Sequence, residues 1–260
     1  MKIQQIRNAT LKIAYGGKTF LTDPWLQEKG ALGTFADKPF RCLSPEKETV
    51  AMPMCGLPMP REDVLQGVDA YVVTHIHPDH IDMSPDCIGN TLDKNVPVFV
   101  QGADDAQVLM KNGFTDINVL YENSRFGEVQ LVKTPGWHGT KIPMCPTCGV
   151  VFRAAGEKSL YVAGDTIWYD GVRDALLEYR PDIVVLNACA AEFTTYGRLI
   201  MNAEDVARVH ECLPDATIII SHMDNVAHAS ITRADMRKLL KDLLGAKSAL
   251  MPEDGETLEF

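Results

Sequence analysis

The chain has 260 residues, 46% hydrophobic and 23% charged, a globular composition that excludes the fibrous and disordered classes. Its 25 Lys and Arg against 35 Asp and Glu give a formal charge of −10 and a pI near 5.1, which disfavours any function built on gripping nucleic-acid phosphates or an anionic membrane surface. A small-molecule partner is expected, with no nucleic acid and no membrane.

The opening segment is broken by Lys2, Arg7, Asn8, Lys12 and the Gly16-Gly17 pair, so no apolar signal core is expected there. No apolar run approaches the ~20 residues that span a bilayer. The seven cysteines (Cys42, Cys55, Cys87, Cys145, Cys148, Cys189, Cys212) are an odd, scattered set that suits reduced thiols in a cytoplasm better than a disulfide framework.

In chain order, short apolar stretches at Ile3–Ile6, Leu11–Tyr15 and Thr19–Thr22 predict a β-meander, with Gly16-Gly17 as a hairpin turn. From 24 to 60 the pattern dissolves into six of the fifteen prolines, with Met52, Met54 and Met59 among them. A Pro/Met-rich insertion of that length reads as a lid, a binding loop or an arm to a partner subunit in a homo-oligomer. Strands then alternate with helices. Val68–Thr74, Val96–Val100, Ile117–Tyr121, Gly127–Thr134, Val150–Ala155, Leu160–Ala163, Ile183–Asn187 and Thr217–Ser221 predict strands, and Gly102–Lys111 and Val172–Tyr179 predict helices. Asn202, with Asp205 three residues on, caps a helix over Ala203–Cys212, and Ser230 is read as the cap of a last helix ending at Gly245. Meanders and strand–helix–strand units in both halves suggest two packed sheets with helices outside, in one domain over 1–260.

The strand Val68–Val73 runs into Thr74-His75-Ile76-His77-Pro78-Asp79-His80, four metal-type ligands on one strand-end loop. His138, Asp165 and His222 each follow another predicted strand. Strand ends of one sheet edge lie together in space, so these scattered residues can converge on one cleft. Imidazole and carboxylate suit Zn²⁺, with Mn²⁺ or Fe²⁺ as alternatives.

These residues and their order resemble the metallo-β-lactamase superfamily, whose signature is the His-x-His-x-Asp-His loop followed by a His, a bridging Asp and a final His. The details look most like its ascorbate-6-phosphate lactonase-like branch, which shares an early Asp-Pro like Asp23-Pro24 and a Gly-Asp-Thr like Gly164-Asp165-Thr166. The resemblance implies an α/β (α+β) fold, a four-layer αββα sandwich. It also implies two divalent metal ions, one held by His75, His77 and His138, the other by Asp79, His80 and His222, with Asp165 bridging. Oxygen-reducing di-iron relatives carry Glu where this chain has His77. The implied chemistry is therefore hydrolysis of a small ester, lactone, amide or phosphodiester by a metal-bound hydroxide, with Asp79 as a ligand that can also move a proton.

Outside that set, His228 stands where it could orient substrate or hold a leaving-group proton, whereas His210 lies mid-helix. Asp224 and Asn225 are candidates to orient ligands or simply to form a turn. Cys145-Pro-Thr-Cys148 is a candidate redox pair or half of a structural zinc site. Glu192, Thr194, Tyr196 and Arg198 could line a pocket, and Arg41 could meet an anionic substrate. A metal-dependent nuclease is one alternative, although Arg233–Lys241 is the chain's one basic stretch. A non-catalytic metal-binding or scaffold protein of the same fold is the other.

Overall fold

The computed structural model describes residues 1–245 and 249–260. Strands β1 (Lys2–Arg7), β2 (Thr10–Tyr15) and β3 (Lys18–Thr22) form the expected meander. After a long excursion come helix α1 (Arg61–Leu65), strand β4 (Ala70–Val73), a small hairpin β5 (Met83–Ser84) and β6 (Cys87–Ile88), strand β7 (Val98–Val100), helix α2 (Ala103–Lys111) and strand β8 (Ile117–Val119). The second half supplies β9 (Ser124–Phe126), β10 (Val129–Pro135), β11 (Cys148–Arg153), β12 (Leu160–Val162), α3 (Asp170–Tyr179) and β13 (Ile183–Asn187). A second hairpin, β14 (Glu192–Phe193) and β15 (Gly197–Arg198), precedes α4 (Ala203–Cys212), β16 (Thr217–Ser221), α5 (Arg233–Leu244) and β17 (Thr257–Glu259).

The strands form a seven-stranded sheet ordered β17-β1-β2-β3-β4-β7-β8 and a six-stranded sheet ordered β16-β13-β12-β11-β10-β9. Because side chains alternate across a strand, the central strands serve two cores at once. Val72 of β4 and Val150 and Phe152 of β11 face each other between the sheets, where Phe20 meets Phe152 edge-on with ring centroids 5.3 Å apart. Tyr71 and Val73 point instead to the outer core under α1 and α2, and Val151 points to the core under α3, α4 and α5. These are the four layers of an αββα sandwich.

Pairing is parallel along β3-β4-β7-β8 and along β12-β13-β16, so these strands deliver their C-terminal ends to a common edge. The 24–60 segment crosses that edge. It holds little regular structure, a 3-10 turn at Pro45–Thr49 and isolated bridges from Gly33 to Met52 and from Cys42 to Phe193. Trp25, Cys42 and Met52 are buried in the core of the second sheet, so the segment is packed across the sandwich as a cover.

Two local readings change. The last helix is capped by Thr232, not Ser230: Thr232 and Asp235 exchange hydrogen bonds in a reciprocal capping box. The Ser230 and Ile231 N–H groups both donate to the Cys189 carbonyl, at 3.0 and 3.2 Å, which ties them into the preceding loop. Strand β17 carries no apolar run of its own and forms because β1 offers an open edge, with Ile3 opposite Leu258.

Candidate metal centre

The loop after β4 begins at Thr74, whose N–H and hydroxyl both donate to the Asp23 carboxylate, at 2.8 and 2.9 Å. The chain then winds so that His80 N–H donates to the His77 carbonyl at 3.0 Å, bringing His75, His77 and His80 to one side. The rings of His75 and His80 lie 4.1 Å apart, those of His75 and His77 4.3 Å. His138 arrives from beyond β10, Asp165 from beyond β12 and His222 from the end of β16. Gly164 precedes Asp165 with φ +67, and a Cβ there would run into the Cys148 carbonyl and the Thr74 side chain, so this turn requires glycine.

Asp165 Oδ2 sits at the centre of the cluster. It lies 3.2 Å from His80 Nε2, 3.8 Å from both His138 Nε2 and His222 Nε2, and 4.0 Å from His75 Nε2. Its other oxygen accepts a 2.7 Å hydrogen bond from Asn187 Nδ2. His222 Nε2 also faces Asp79 Oδ2 at 3.3 Å. Two donor groups close to ion-binding size, their ligand atoms all within 4.8 Å of one another: His75, His77, His138 and Cys145, and Asp79, His80 and His222. Asp165 forms a third such group with His75 and His80, between the two.

The donor set fits divalent cations. His138 Nδ1 lies 3.0 Å from the Leu199 carbonyl, which can only accept, so the ring's lone pair is at Nε2, turned into the cluster. His75 Nδ1 lies 3.2 Å from the Thr74 hydroxyl, whose proton is committed to Asp23, which likewise leaves the lone pair at Nε2. His75 Nε2 and His77 Nδ1 are 2.8 Å apart. Converging lone pairs in a buried site call for a cation. The buried ring nitrogens of His80 find no aligned hydrogen-bond partner, although Asp23 Oδ2 is 2.9 Å from Nδ1 and Asp165 Oδ2 3.2 Å from Nε2; between these carboxylates the ring holds a proton in the metal-free protein and would give it up to a bound cation.

The charges divide accordingly. Burial and the neighbouring imidazoles hold His75 well below the usual histidine range and push His77 down to about 3, so this side is neutral. Burial works against ionisation of His80 too, but Asp165 and Asp23 lift it to about 10. Burial would raise Asp165 and Asp79, yet His80 and His222 hold both well below the carboxylate range.

Several supporting residues carry no recognisable sequence signal. Asn8 donates from Nδ2 to the Asp79 carbonyl at 3.1 Å, and its own carbonyl receives the His222 N–H at 2.9 Å. Cys189 Sγ lies 3.5 Å from His222 Nδ1. Asn8, Asp23 and His222 all have positive φ (+52, +43 and +63), backbone strain held in place at the site.

Beside the cluster is a cavity of about 200 Å³, walled by Leu32, Phe35, Phe40, Met52, Met144, Phe193 and Leu199 and floored by His77, Asp79, His138, Asp165 and His228. His228 stacks on Phe193 with centroids 4.7 Å apart and planes within 9°, and its buried Nδ1 has no partner. Burial pushes this imidazole down to about 4.

Other candidates lie elsewhere. His210 faces a separate shallow cleft with Pro214 and Phe260. Arg41 is exposed and donates to the Lys38 and Phe40 carbonyls of its own turn, away from the cavity. Of the segment 192–198, the cavity wall takes Phe193, while Arg198 pairs with Asp205 at 2.6 Å. Asp224 pairs with Arg233 at 3.1 Å and Asn225 donates to Asp254 at 3.0 Å, so both brace the loop after His222. Cys145 and Cys148 are free thiols, the first beside the histidines, the second in the core between the sheets. Burial pushes both up to about 12, the opposite of an activated Cys-x-x-Cys pair.

Known proteins are similar to this chain in sequence and fold. The family model described as Beta-lactamase superfamily domain matches residues 18–223. The chain is 40% identical to the UPF0173 protein YddR of Bacillus subtilis, over the full length of both. It is 26% identical to a UPF0173 metal-dependent hydrolase of Pyrococcus furiosus, over 77% of this chain and 85% of that one. Among solved structures it superposes on an isothiocyanate hydrolase from Delia radicum gut bacteria, with a TM-score of 0.91 and 37% identity, covering 100% of this chain and 99% of that one. A possible metal-dependent hydrolase from Veillonella parvula gives a TM-score of 0.90 and 35% identity over 99% and 98% of the two chains. With its strand-end histidine cluster, its two facing sheets and these relatives, the chain belongs to the metallo-β-lactamase superfamily, as a metal-dependent hydrolase of that fold.

Proposed function

We propose that residues 1–260 form one domain with a dinuclear centre that hydrolyses a small, largely apolar electrophile of the carbonyl or heterocumulene type, an isothiocyanate being the first candidate. The observation that carries this reading is the apolar cavity of about 200 Å³ opening directly onto both donor groups. His75, His77 and His138 would hold one ion and Asp79, His80 and His222 the other, with Asp165 between them. Zinc suits the donors best. Bound divalent ions supply a water acidified toward neutral pH and a Lewis acid for the electrophile.

The chain's own residues do the rest. Phe35, Phe40, Phe193 and Met144 hold the substrate's apolar group and exclude water from it. The electrophilic carbon then lies at the polar floor, between Asp165 and His228. Water adds across the C=N bond of R–N=C=S to give R–NH–C(O)–SH, which releases carbonyl sulfide and the amine R–NH₂. Asp79 accepts a proton from the attacking water and passes it to the departing nitrogen, while His228, neutral at pH 7, orients that nitrogen by a hydrogen bond. Asp23, Asn187 and the Leu199 carbonyl fix the ligand side chains.

Among the described residues, the cavity wall and floor include no Lys or Arg, which supports an uncharged substrate over a phosphodiester. On α5, Arg233 pairs with Asp224 and Asp254, and Arg237 with Glu253 at 2.5 Å, which favours a solvated helix face over a nucleic-acid track. The described residues include no helix long and apolar enough to cross a membrane. Free cysteines throughout support a reducing, cytoplasmic setting.

The test is a substrate comparison with zinc-loaded protein: benzyl isothiocyanate, p-nitrophenyl acetate and bis(p-nitrophenyl) phosphate, with amine release followed by chromatography. Preferred turnover of the isothiocyanate supports the proposal. Preferred turnover of the phosphodiester overturns the substrate class.

A further inference from the structure

The ion group formed by His75, His77 and His138 includes a fourth donor, the Cys145 sulfur, with all four ligand atoms within 4.8 Å of one another. Nothing in the Cys-x-x-Cys spacing predicts this, because Cys148, the other half, is buried in the core between the sheets. The chain reaches the position by folding back after His138. Met144 N–H donates to the His138 carbonyl at 2.8 Å, while Thr140 and Lys141 N–H groups donate to the carbonyls of Arg198 and Tyr196 at 2.9 and 3.0 Å. Gly139, with φ +140, permits the fold-back, since a Cβ there would run into the Ile142 carbonyl. The loop is thus pinned at both shoulders, and its thiol stands over the three imidazoles.

We propose that Cys145 is a direct thiolate ligand of the ion held by His75, His77 and His138, an inference that rests on the dinuclear reading above. On binding, the S–H proton leaves to water as the sulfur–metal bond forms, because a coordinating thiol is deprotonated by the ion itself. Three imidazoles and one thiolate would give the first ion four donors before Asp165 is counted. The Asp79, His80 and His222 group has one protein donor fewer, so it is the position better able to take water or substrate. The soft sulfur also tilts the first position toward zinc and away from manganese.

The test uses the full chain loaded with Co²⁺ in place of zinc. The wild-type protein shows an intense near-ultraviolet sulfur-to-cobalt charge-transfer band, and Cys145→Ser lacks it. Chelator competition gives zinc binding at that position weaker by on the order of 10–100-fold or more in the variant, with circular dichroism confirming that it folds. Independently of any variant, site-resolved alkylation of wild-type protein at high pH modifies Cys145 faster when metal-free than when zinc-loaded.

Cobalt bound to both positions without the band, or Cys145 alkylated equally fast in both states, overturns the proposal. So does a band that survives in Cys145→Ser, which would assign the sulfur to Cys189 beside His222. Each of those outcomes leaves the dinuclear hydrolase standing. Failure of the wild-type protein to take up any divalent ion overturns both.

Discussion

At the scale of single residues, the centre depends on side chains that touch no substrate. Asp23 carries the heaviest burden: its carboxylate receives both protons of Thr74 and faces His80 Nδ1, so one group sets the start of the histidine loop and the aim of one ring. Replacing Asp23 by Asn keeps the shape and removes the charge. Metal affinity and turnover should then fall on the order of 10–100-fold, as for other groups that orient metal ligands, which chelator competition and kinetics would measure. His228 contributes differently, as a neutral imidazole on the cavity floor, stacked on Phe193. His228→Ala should lower kcat by roughly 10²–10³-fold, the usual cost of removing one positioned hydrogen-bonding group, with metal content unchanged. An unchanged kcat would reduce His228 to a wall of the pocket.

At the scale of elements, the covering segment 24–60 acts as a wall. Phe40 stacks on Phe193 with centroids 5.1 Å apart, and the two form one side of the cavity. Truncating Phe40→Ala removes about 1.5–3 kcal/mol of apolar contact, which should raise KM for benzyl isothiocyanate by about tenfold or more at nearly constant kcat. A matched fall in kcat instead would mean that the segment positions the metal ligands.

The same segment marks where sequence stops being informative. The histidine loop was legible because β4 is short, apolar and runs straight into it, and His138, Asp165 and His222 because each follows a strand of the same kind. The cavity was not. Leu32, Phe35, Phe40 and Met52 obey no period, and their placement comes from tertiary packing such as the Cys42–Phe193 bridge. Asn187 and Asn8 were equally hidden, since a strand-end Asn reads as a turn residue until its amide is seen on Asp165 or beside Asp79. Ser230 was a false cap because Thr232 follows with the same chemistry and its N–H donates to Asp235, whereas the Ser230 N–H is taken by the Cys189 carbonyl.

At the scale of the whole molecule, the buried titratable cluster ties stability to pH in the metal-free protein. His77 and His228 are held at about 3 and about 4, so below pH 6.5 the unfolded chain binds protons that the folded chain refuses, and stability falls as pH drops from 6.5 toward 4. His80 has the opposite sign. Its folded value of about 10 lies above the unfolded one, so its contribution is complete below pH 6.5 and is lost as pH rises toward 10. Thermal unfolding of metal-free protein should therefore give its highest Tm near pH 6.5, declining on both sides. A Tm that climbs steadily from pH 6.5 to 10 would contradict the ion pairing of His80 with Asp23 and Asp165.

The most direct measurement joins metal content to chemistry in one preparation: elemental analysis of the purified chain, with benzyl isothiocyanate turnover before chelation, after chelation and after zinc is restored. Two divalent ions per chain, activity lost with them and regained with zinc, is the predicted result. A chain that binds no transition metal, or whose turnover is indifferent to chelation, would contradict the assignment of the histidine–aspartate cluster as a dinuclear hydrolytic centre.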